Sequence, residues 1–374
     1  MITRIYNDLN KYLKPNEVLI IYGPRRVGKT ILLKNFLAHT SLKYRLENGG
    51  NSEIQEIFAS MRADTLYRYA EGYDLIAIDE AQYIPHIGEG LKLLIETVPH
   101  IKIIATGSAS FELSNKVGEP LTDRNTTLRL FPVSQLELRK QINDYELSKN
   151  NEEYLIYGSY PKVLTLQTLK EKSLLLRSLV DSYLLKDILA LENIKGSKIL
   201  LDLLRLLAFQ VGNEVSYTEL ASNLPIDLKT VARYLDLLEK SFIIINIRGY
   251  SKNLRNEIKS KSKYYFYDNG IRNAIIANFN PLYLRDDIGK LWENFLVVER
   301  LKKQNYKSII ANNYFWRTWD QYEVDFVEER EGKLFGYEFK YSPTKKGSSK
   351  NFLTTYPNAE YSTINSDNYL DFVG

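Results

Sequence analysis

Gly23 to Thr30 reads GPRRVGKT, two glycines followed by a lysine and a hydroxyl at the spacing G-x-x-x-x-G-K-[ST]. Glycines let the backbone wrap a phosphate, so that its N–H groups and the start of the next helix face the negative charge. At the end of such a loop Lys29 neutralises β- and γ-phosphates, and the Thr30 hydroxyl is a ligand for Mg²⁺. The expected ligand is ATP with Mg²⁺, held by Gly23, Pro24, Arg25, Arg26, Val27, Gly28, Lys29, Thr30 and Ile31. The competing reading is a glycine-containing turn that matches by chance.

Two more segments place polar groups where that chemistry needs them. YDLIAIDEAQ ends an apolar run in Asp79 and Glu80. Asp79 is expected to hold the magnesium with Thr30, and Glu80 to polarise a water for attack on the γ-phosphate. KIIATGSAS ends in Thr106, Gly107 and Ser108, and either Thr106 or Ser108 is a candidate to sense the γ-phosphate; a plain Gly-Ser turn is the alternative.

A second constellation lies near the C-terminus. Glu293 sits in a helix that is apolar around much of its circumference, so its carboxylate is expected to be partly buried. YEVDFVEEREGKLFGYEFKYS reads as a hairpin turning near Arg330 to Gly332. Alternation puts Tyr322, Val324 and Phe326 on one face, and Glu323 and Asp325 on the other. Glu338 and Lys340 share a face of the return strand, and Asp325 and Glu338 become cross-strand or diagonal neighbours. Glu293, Asp325, Glu338 and Lys340 together suit a second Mg²⁺ or Mn²⁺ that activates water against a phosphodiester. The alternatives are a surface hairpin with an Asp–Lys pair, or a fold that has lost turnover.

These residues need rigid positioning. Val18–Tyr22 and Leu75–Ile78 read as buried parallel strands, the first followed by a loop and a helix. Residues 136 to 194 alternate leucines and charges at helical spacing and are expected to form a lid over the nucleotide. From Ile199 three helices and two strand-like runs follow, with Ser216 and Asp227 as caps: the pattern of a winged helix-turn-helix. The link between its strands carries Lys252, Arg255, Lys259, Lys261 and Lys263 against Glu257, a candidate basic wing for DNA phosphates or a solvated loop.

Composition narrows the classes. A net charge of +4 over 374 residues leaves nucleic-acid contact to local patches. With no cysteine, disulfides, thiol nucleophiles and thiolate-bound zinc are excluded, and three scattered histidines make no zinc cluster. The N-terminal MITRIYNDLNKYL lacks an apolar signal core and no run approaches a membrane span, so a soluble, cytoplasmic protein is expected.

Taken with LFPVSQLEL after Arg129 and GSYPKVL from Gly158, the segments GPRRVGKT, LIAIDEAQ and IIATGSAS resemble bacterial and archaeal AAA-type ATPases. In that family the ATPase is fused to a C-terminal winged helix and a restriction-endonuclease-like domain. The resemblance covers nearly the whole chain. It implies an arginine finger, for which Arg124 is the candidate, acting on this chain's ATP or a neighbour's; an ordinary surface arginine is the alternative. Asp123 precedes Arg124 where the family usually has glycine. Asp325 with Glu338-Phe339-Lys340, after Glu293 on a helix, also looks like the PD-(D/E)XK nuclease pattern, with Val324 in place of its leading proline.

The expected fold is a multidomain α/β chain. It comprises an AAA-type P-loop core over 1–135, a helical lid over 136–195, a winged helix-turn-helix over 196–280 and a nuclease-like α/β domain over 281–374. The expected function is Mg²⁺-dependent ATP binding and hydrolysis coupled to double-stranded DNA, with homo-oligomers as an option and no membrane partner. A nucleotide-operated switch, or a DNA-binding regulator that does not cleave, is the alternative.

Overall fold

Strands with no polar face must be covered on both sides, which demands a parallel sheet between helical layers. VLIIY, LIAID and KIIATG meet that condition, and each is buried along nearly its whole length. The computed structural model describes residues 2–108, 121, 123–181, 197–251, 262–345, 347, 348 and 350–374. It divides into two compact units, Met1–Phe131 and Pro132–Gly374.

The first unit runs β1 (Val18–Tyr22), α1 (Lys29–Leu37), β2 (Tyr44–Asn48), α2 (Ser52–Ala59), α3 (Ala63–Ala70), β3 (Leu75–Asp79), α4 (Ile87–Thr97), β4 (Lys102–Gly107) and β5 (Asn125–Arg129). Its five strands lie in the order β2-β3-β4-β1-β5, all parallel. On one face Ile20, Ile76, Ile78 and Ile103 pack with Phe58, Leu66, Leu91 and Leu94 from the helices. Full burial of each such side chain is worth about 1.5–3 kcal/mol. Because β4 lies between β1 and β3, the loop leaving β1 and the acids ending β3 flank the carboxyl end of β4. In an open parallel sheet that end is where ligands bind.

The second unit continues with α5 (Gln135–Leu138), α6 (Asp144–Lys149), α7 (Asn151–Tyr157), α8 (Pro161–Thr165), α9 (Leu169–Leu179), α10 (Ser197–Phe209), β6 (Glu214–Val215), α11 (Tyr217–Asn223), α12 (Leu228–Lys240), β7 (Ile244–Gly249), β8 (Ser262–Phe266), α13 (Asn269–Ile275), α14 (Ile288–Tyr306), β9 (Asn312–Arg317), β10 (Glu323–Arg330), β11 (Lys333–Phe339), α15 (Lys350–Thr355), β12 (Glu360–Ile364) and α16 (Tyr369–Val373). The caps read from the sequence are in place: Ser216 accepts the Glu219 N–H, and Asp227 accepts that of Thr230.

Seven strands form one sheet in the order β12-β11-β10-β9-β7-β8-β6. The junction is the parallel pairing of β7 with β9, Arg248 opposite Tyr314 and Gly249 opposite Phe315. Strands expected on either side of residue 280 therefore share one backbone ladder. The helices expected as a separate lid pack into this unit as well. Asn273 Nδ2 donates to the carbonyls of Leu155 and Ile156 at 3.1 and 2.8 Å, and the Ser159 N–H donates to Asp268 at 2.7 Å. Gly158, at φ 69°, makes this approach feasible, since a Cβ there would lie 1.9 Å from Asp268 Oδ1.

Candidate functional site

The loop between β1 and α1 is held closed by its own backbone and by neighbours. Gly23 has φ 145°, and a Cβ on it would lie 2.1 Å from the Leu130 carbonyl oxygen. Arg26 and Gly28 also take positive φ, at 61° and 99°, which turns successive peptide planes around the loop. Arg4, from the N-terminal segment, donates to the carbonyls of Val27 at 2.5 Å and Phe131 at 2.6 Å, tying the loop to the end of the sheet. Lys29 opens α1. Its buried ammonium donates to the Gly23 and Pro24 carbonyls, both at 2.9 Å. Burial lowers its pKa to about 8, against the pull of Glu80 and Asp79.

Across the β4 edge the acids converge on the loop. The Thr30 hydroxyl lies 2.8 Å from Asp79 Oδ2. Thr106 is wholly buried: its hydroxyl donates to Asp79 Oδ1 and accepts the Glu80 N–H at 3.1 Å. Glu80 itself has φ 55°, a left-handed conformation that costs a glutamate energy and that its neighbours must fix. Gln82 does part of this, donating to Glu80 Oε2 while its Oε1 accepts the Ser108 N–H at 3.3 Å. Thr106 is thus engaged in orienting the two acids, and Ser108 is tied to them through Gln82. Arg25 reaches the Tyr83 hydroxyl at 3.0 Å.

Arg124 lies elsewhere. Its carbonyl accepts the Val18 N–H at 3.0 Å, which puts it beside the start of β1, and its guanidinium pairs with Glu96 at 3.1 Å. The length of β1, about 17 Å of extended strand, separates it from the Gly23 loop. That position argues against contact with this chain's own nucleotide and leaves a neighbouring chain's site or an ordinary surface ion pair as its roles.

In the second unit the C-terminal acids also meet. The hairpin turns at Glu331 and Gly332, with φ 50° and 73°, as two-residue turns between twisted strands require. Asp325 Oδ2 accepts the Phe339 N–H at 2.7 Å, and Lys340 pairs with Glu338 at 2.5 Å. Glu293, on α14, receives the Tyr265 hydroxyl at 2.6 Å and the Lys263 ammonium at 3.3 Å. Burial pushes Glu293 up to about 7, with Lys263 opposing and Asp325 adding to the rise. Burial raises Asp325 and Glu338 too.

Two expectations are corrected here. The simple alternation along β10 fails, because the register shifts between Val324 and Val327. Val324 and Val327 therefore share one core cluster with Trp316 and Phe352, while Phe326 stacks on Phe339. Lys263 is also no part of a phosphate-tracking wing. Its side chain is 2% exposed and is ion-paired with both Glu293 and Glu323. Lys252, Arg255, Glu257, Lys259 and Lys261 lie outside the described residues.

Sequence reading missed Arg4, Gln82 and Tyr265, and it gave Lys263 and Glu323 no place in the acidic cluster. For Lys263 and Tyr265 a signal existed, since residues two apart on a strand share a face. Arg4 gave none, its role being purely tertiary.

Residues 15–139 match a family model described as an AAA domain, while 148–282 and 288–370 match two domains of unknown function, DUF8612 and DUF4143. An uncharacterized protein of Haemophilus influenzae is 24% identical over 356 residues, spanning 87% of this chain and 83% of that one. One of Mycobacterium tuberculosis is 27% identical over 345 residues, spanning 90% and 73%. Among solved structures, the Walker-type ATPase paby2304 of Pyrococcus abyssi has 16% identity and a TM-score of 0.47, covering 69% of this chain and 91% of that one. The replication initiator DnaA bound to AMPPCP and single-stranded DNA has 16% identity and a TM-score of 0.31, covering 63% and 86%. The stretch that carries the Gly23 loop, Asp79 and Glu80 is thus similar to AAA domains. No helix among the described residues is long and apolar enough to cross a membrane.

Proposed function

We propose that this AAA-type P-loop chain binds and hydrolyses ATP with Mg²⁺, and that its nucleotide state operates a C-terminal unit that engages double-stranded DNA without cutting it. The observation that carries the ATPase reading is the junction of Thr30, Asp79 and Thr106 beside the Lys29 loop.

Lys29 would exchange its two carbonyl partners for β- and γ-phosphate oxygens, and the N–H groups opening α1 add to the positive field. A hydroxyl and a carboxylate 2.8 Å apart are oxygen donors suited to Mg²⁺, which takes one or two protein ligands and keeps several waters. Thr30 and Asp79 would hold that ion, whose charge offsets the charge on the phosphates. Glu80, held by Gln82 and by its own N–H to Thr106, would accept a proton from the attacking water. The test is Glu80→Gln: it should still bind ATP while phosphate release falls about a hundredfold or more. Wild-type turnover in that variant would remove Glu80 from catalysis.

For the C-terminal unit, the order α10, β6, α11, α12, β7, β8 with β6-β8-β7 antiparallel supports a winged helix-turn-helix. Lys229 and Arg233 are exposed on α12, the helix that such a fold lays on DNA. The geometry of β10, β11 and α14 supports a nuclease-like fold. The non-cleaving reading is favoured by Lys263, whose buried ammonium pairs with Glu293, one of the acids that a nuclease would need for metal, and with the neighbouring Glu323. Plasmid nicking with Mn²⁺, compared between wild type and Asp325→Ala, decides it: nicking by wild type alone would restore the nuclease reading.

A further inference from the structure

The acidic cluster of the C-terminal unit already contains a cation. Lys263 is the second residue of β8, where it pairs with Ile247 of β7 on one side and Glu214 of β6 on the other. Its ammonium is 3.3 Å from Glu293 Oε1, is ion-paired with Glu323, and also feels the charge of Asp325. Other fixed donors of the chain engage the same acids. Tyr265 donates to Glu293, the Phe339 N–H to Asp325, and Lys340 to Glu338.

A divalent ion does not fit this arrangement. With Lys263 lodged between Glu293 and Glu323, no group of three or more Asp, Glu or His side chains among the described residues is gathered closely enough to hold one. A metal bridging Glu293 and Asp325 would also lie within a few ångströms of a buried ammonium, where like charges repel strongly. A lysine on a loop could step aside. Lys263 is laddered on both sides, and its side chain has almost no route to water.

We infer that Lys263 is the resident cation of the Glu293–Glu323–Asp325 cluster, standing where a nuclease of this pattern would hold Mg²⁺ or Mn²⁺, so that the cluster takes up no divalent ion. The inference deepens the non-cleaving reading and rests on it. The charge of the four carboxylates Glu293, Glu323, Asp325 and Glu338 is offset in part from within by three cations, Lys263, Lys340 and Arg317, the last 4.0 Å from Glu323.

Mn²⁺ titration of the full-length, nucleotide-free chain, followed by electron paramagnetic resonance, tests this. Wild type and Glu293→Gln should bind the same small amount of Mn²⁺. Lys263→Met should gain one site at least about tenfold tighter, and the double variant Lys263→Met/Glu293→Gln should lack it. A wild-type site that disappears in Glu293→Gln overturns the inference, and so does a folded Lys263→Met that gains none. Removing Lys263 strands buried carboxylates and threatens folding, so the comparison of wild type with Glu293→Gln decides by itself. Nicking without a Glu293-dependent ion would sink only the non-cleaving reading. Mn²⁺ bound through Glu293 without nicking would sink only the resident-cation inference.

Discussion

The Thr106 hydroxyl donates to Asp79 Oδ1 at 2.5 Å, tying β4, the strand between the Gly23 loop and the acids, to the carboxylate that ends β3. The same oxygen accepts the Glu80 N–H, so a single side chain sets two acids at once. Thr106→Val keeps the shape and strands both partners, at about 1–3 kcal/mol for each buried group left unpaired. ATP affinity should stay within about threefold, while turnover falls about tenfold to a hundredfold. Phosphate release set against nucleotide affinity measures the split; an equal loss in both would make Thr106 a binding residue.

Lys29→Ala should abolish measurable ATP binding, a loss of at least about a hundredfold, because charge-assisted bonds to phosphate are removed with no replacement. Fluorescent-nucleotide titration reads this directly.

Wild-type affinity should also depend on pH. With its pKa lowered to about 8, Lys29 is protonated and competent below that pH and loses its charge above it. Affinity should therefore be level from pH 6.5 to 7.5 and fall toward tenfold weaker for each further unit beyond 8. Constant affinity from pH 7 to pH 9.5 would show that Lys29 stays charged throughout.

Gly23→Ala should destabilise the N-terminal unit. The added methyl would meet the Leu130 carbonyl oxygen at 2.1 Å, and φ 145° is rare for any residue with a side chain. Leu130 directly follows β5 and its N–H donates to the Tyr22 carbonyl at 2.8 Å, so it cannot yield without disturbing that bond. We expect a melting temperature lower by several degrees, on the order of 2 kcal/mol, together with loss of ATP binding. Calorimetry checks the first and nucleotide titration the second.

Asp268 gives a stability signature in the other unit. Burial raises its pKa from 3.8 to about 6, opposed by the Ser159 N–H and Lys302. A carboxyl with a raised folded pKa contributes stability that is full below 3.8 and is lost as pH rises through about 6. Relative to Asp268→Asn, which cannot ionise, wild type should lose about 3 kcal/mol between pH 3.5 and pH 7. Urea unfolding across that range measures the difference; parallel curves would mean that Asp268 keeps an ordinary pKa.

GPRRVGKT and the run ending in Asp79 and Glu80 were legible in the sequence, because both work through local patterns. A glycine-spaced loop between a buried strand and a helix shapes its own backbone, and an acid ending an apolar strand must emerge at the sheet's edge. That Asp325, Glu338 and Lys340 come near one another across the hairpin was legible too, from strand alternation and the position of the turn. Other features depend on partners distant in the chain. Arg4 reaches Val27, Thr106 bridges Asp79 and Glu80, and Lys263 fills an acidic cluster built from α14 and β10. Strand alternation foretold which face β10 would bury only as far as the bulge after Val324, where an irregularity in pairing with β9 reset the pattern. The sequence by itself determined which groups were available for phosphate and acid chemistry, since residue type and short spacing suffice for that. Tertiary structure alone decided which charge each group faces, because opposition across a sheet or between a strand and a helix is set by packing and not by neighbours along the chain.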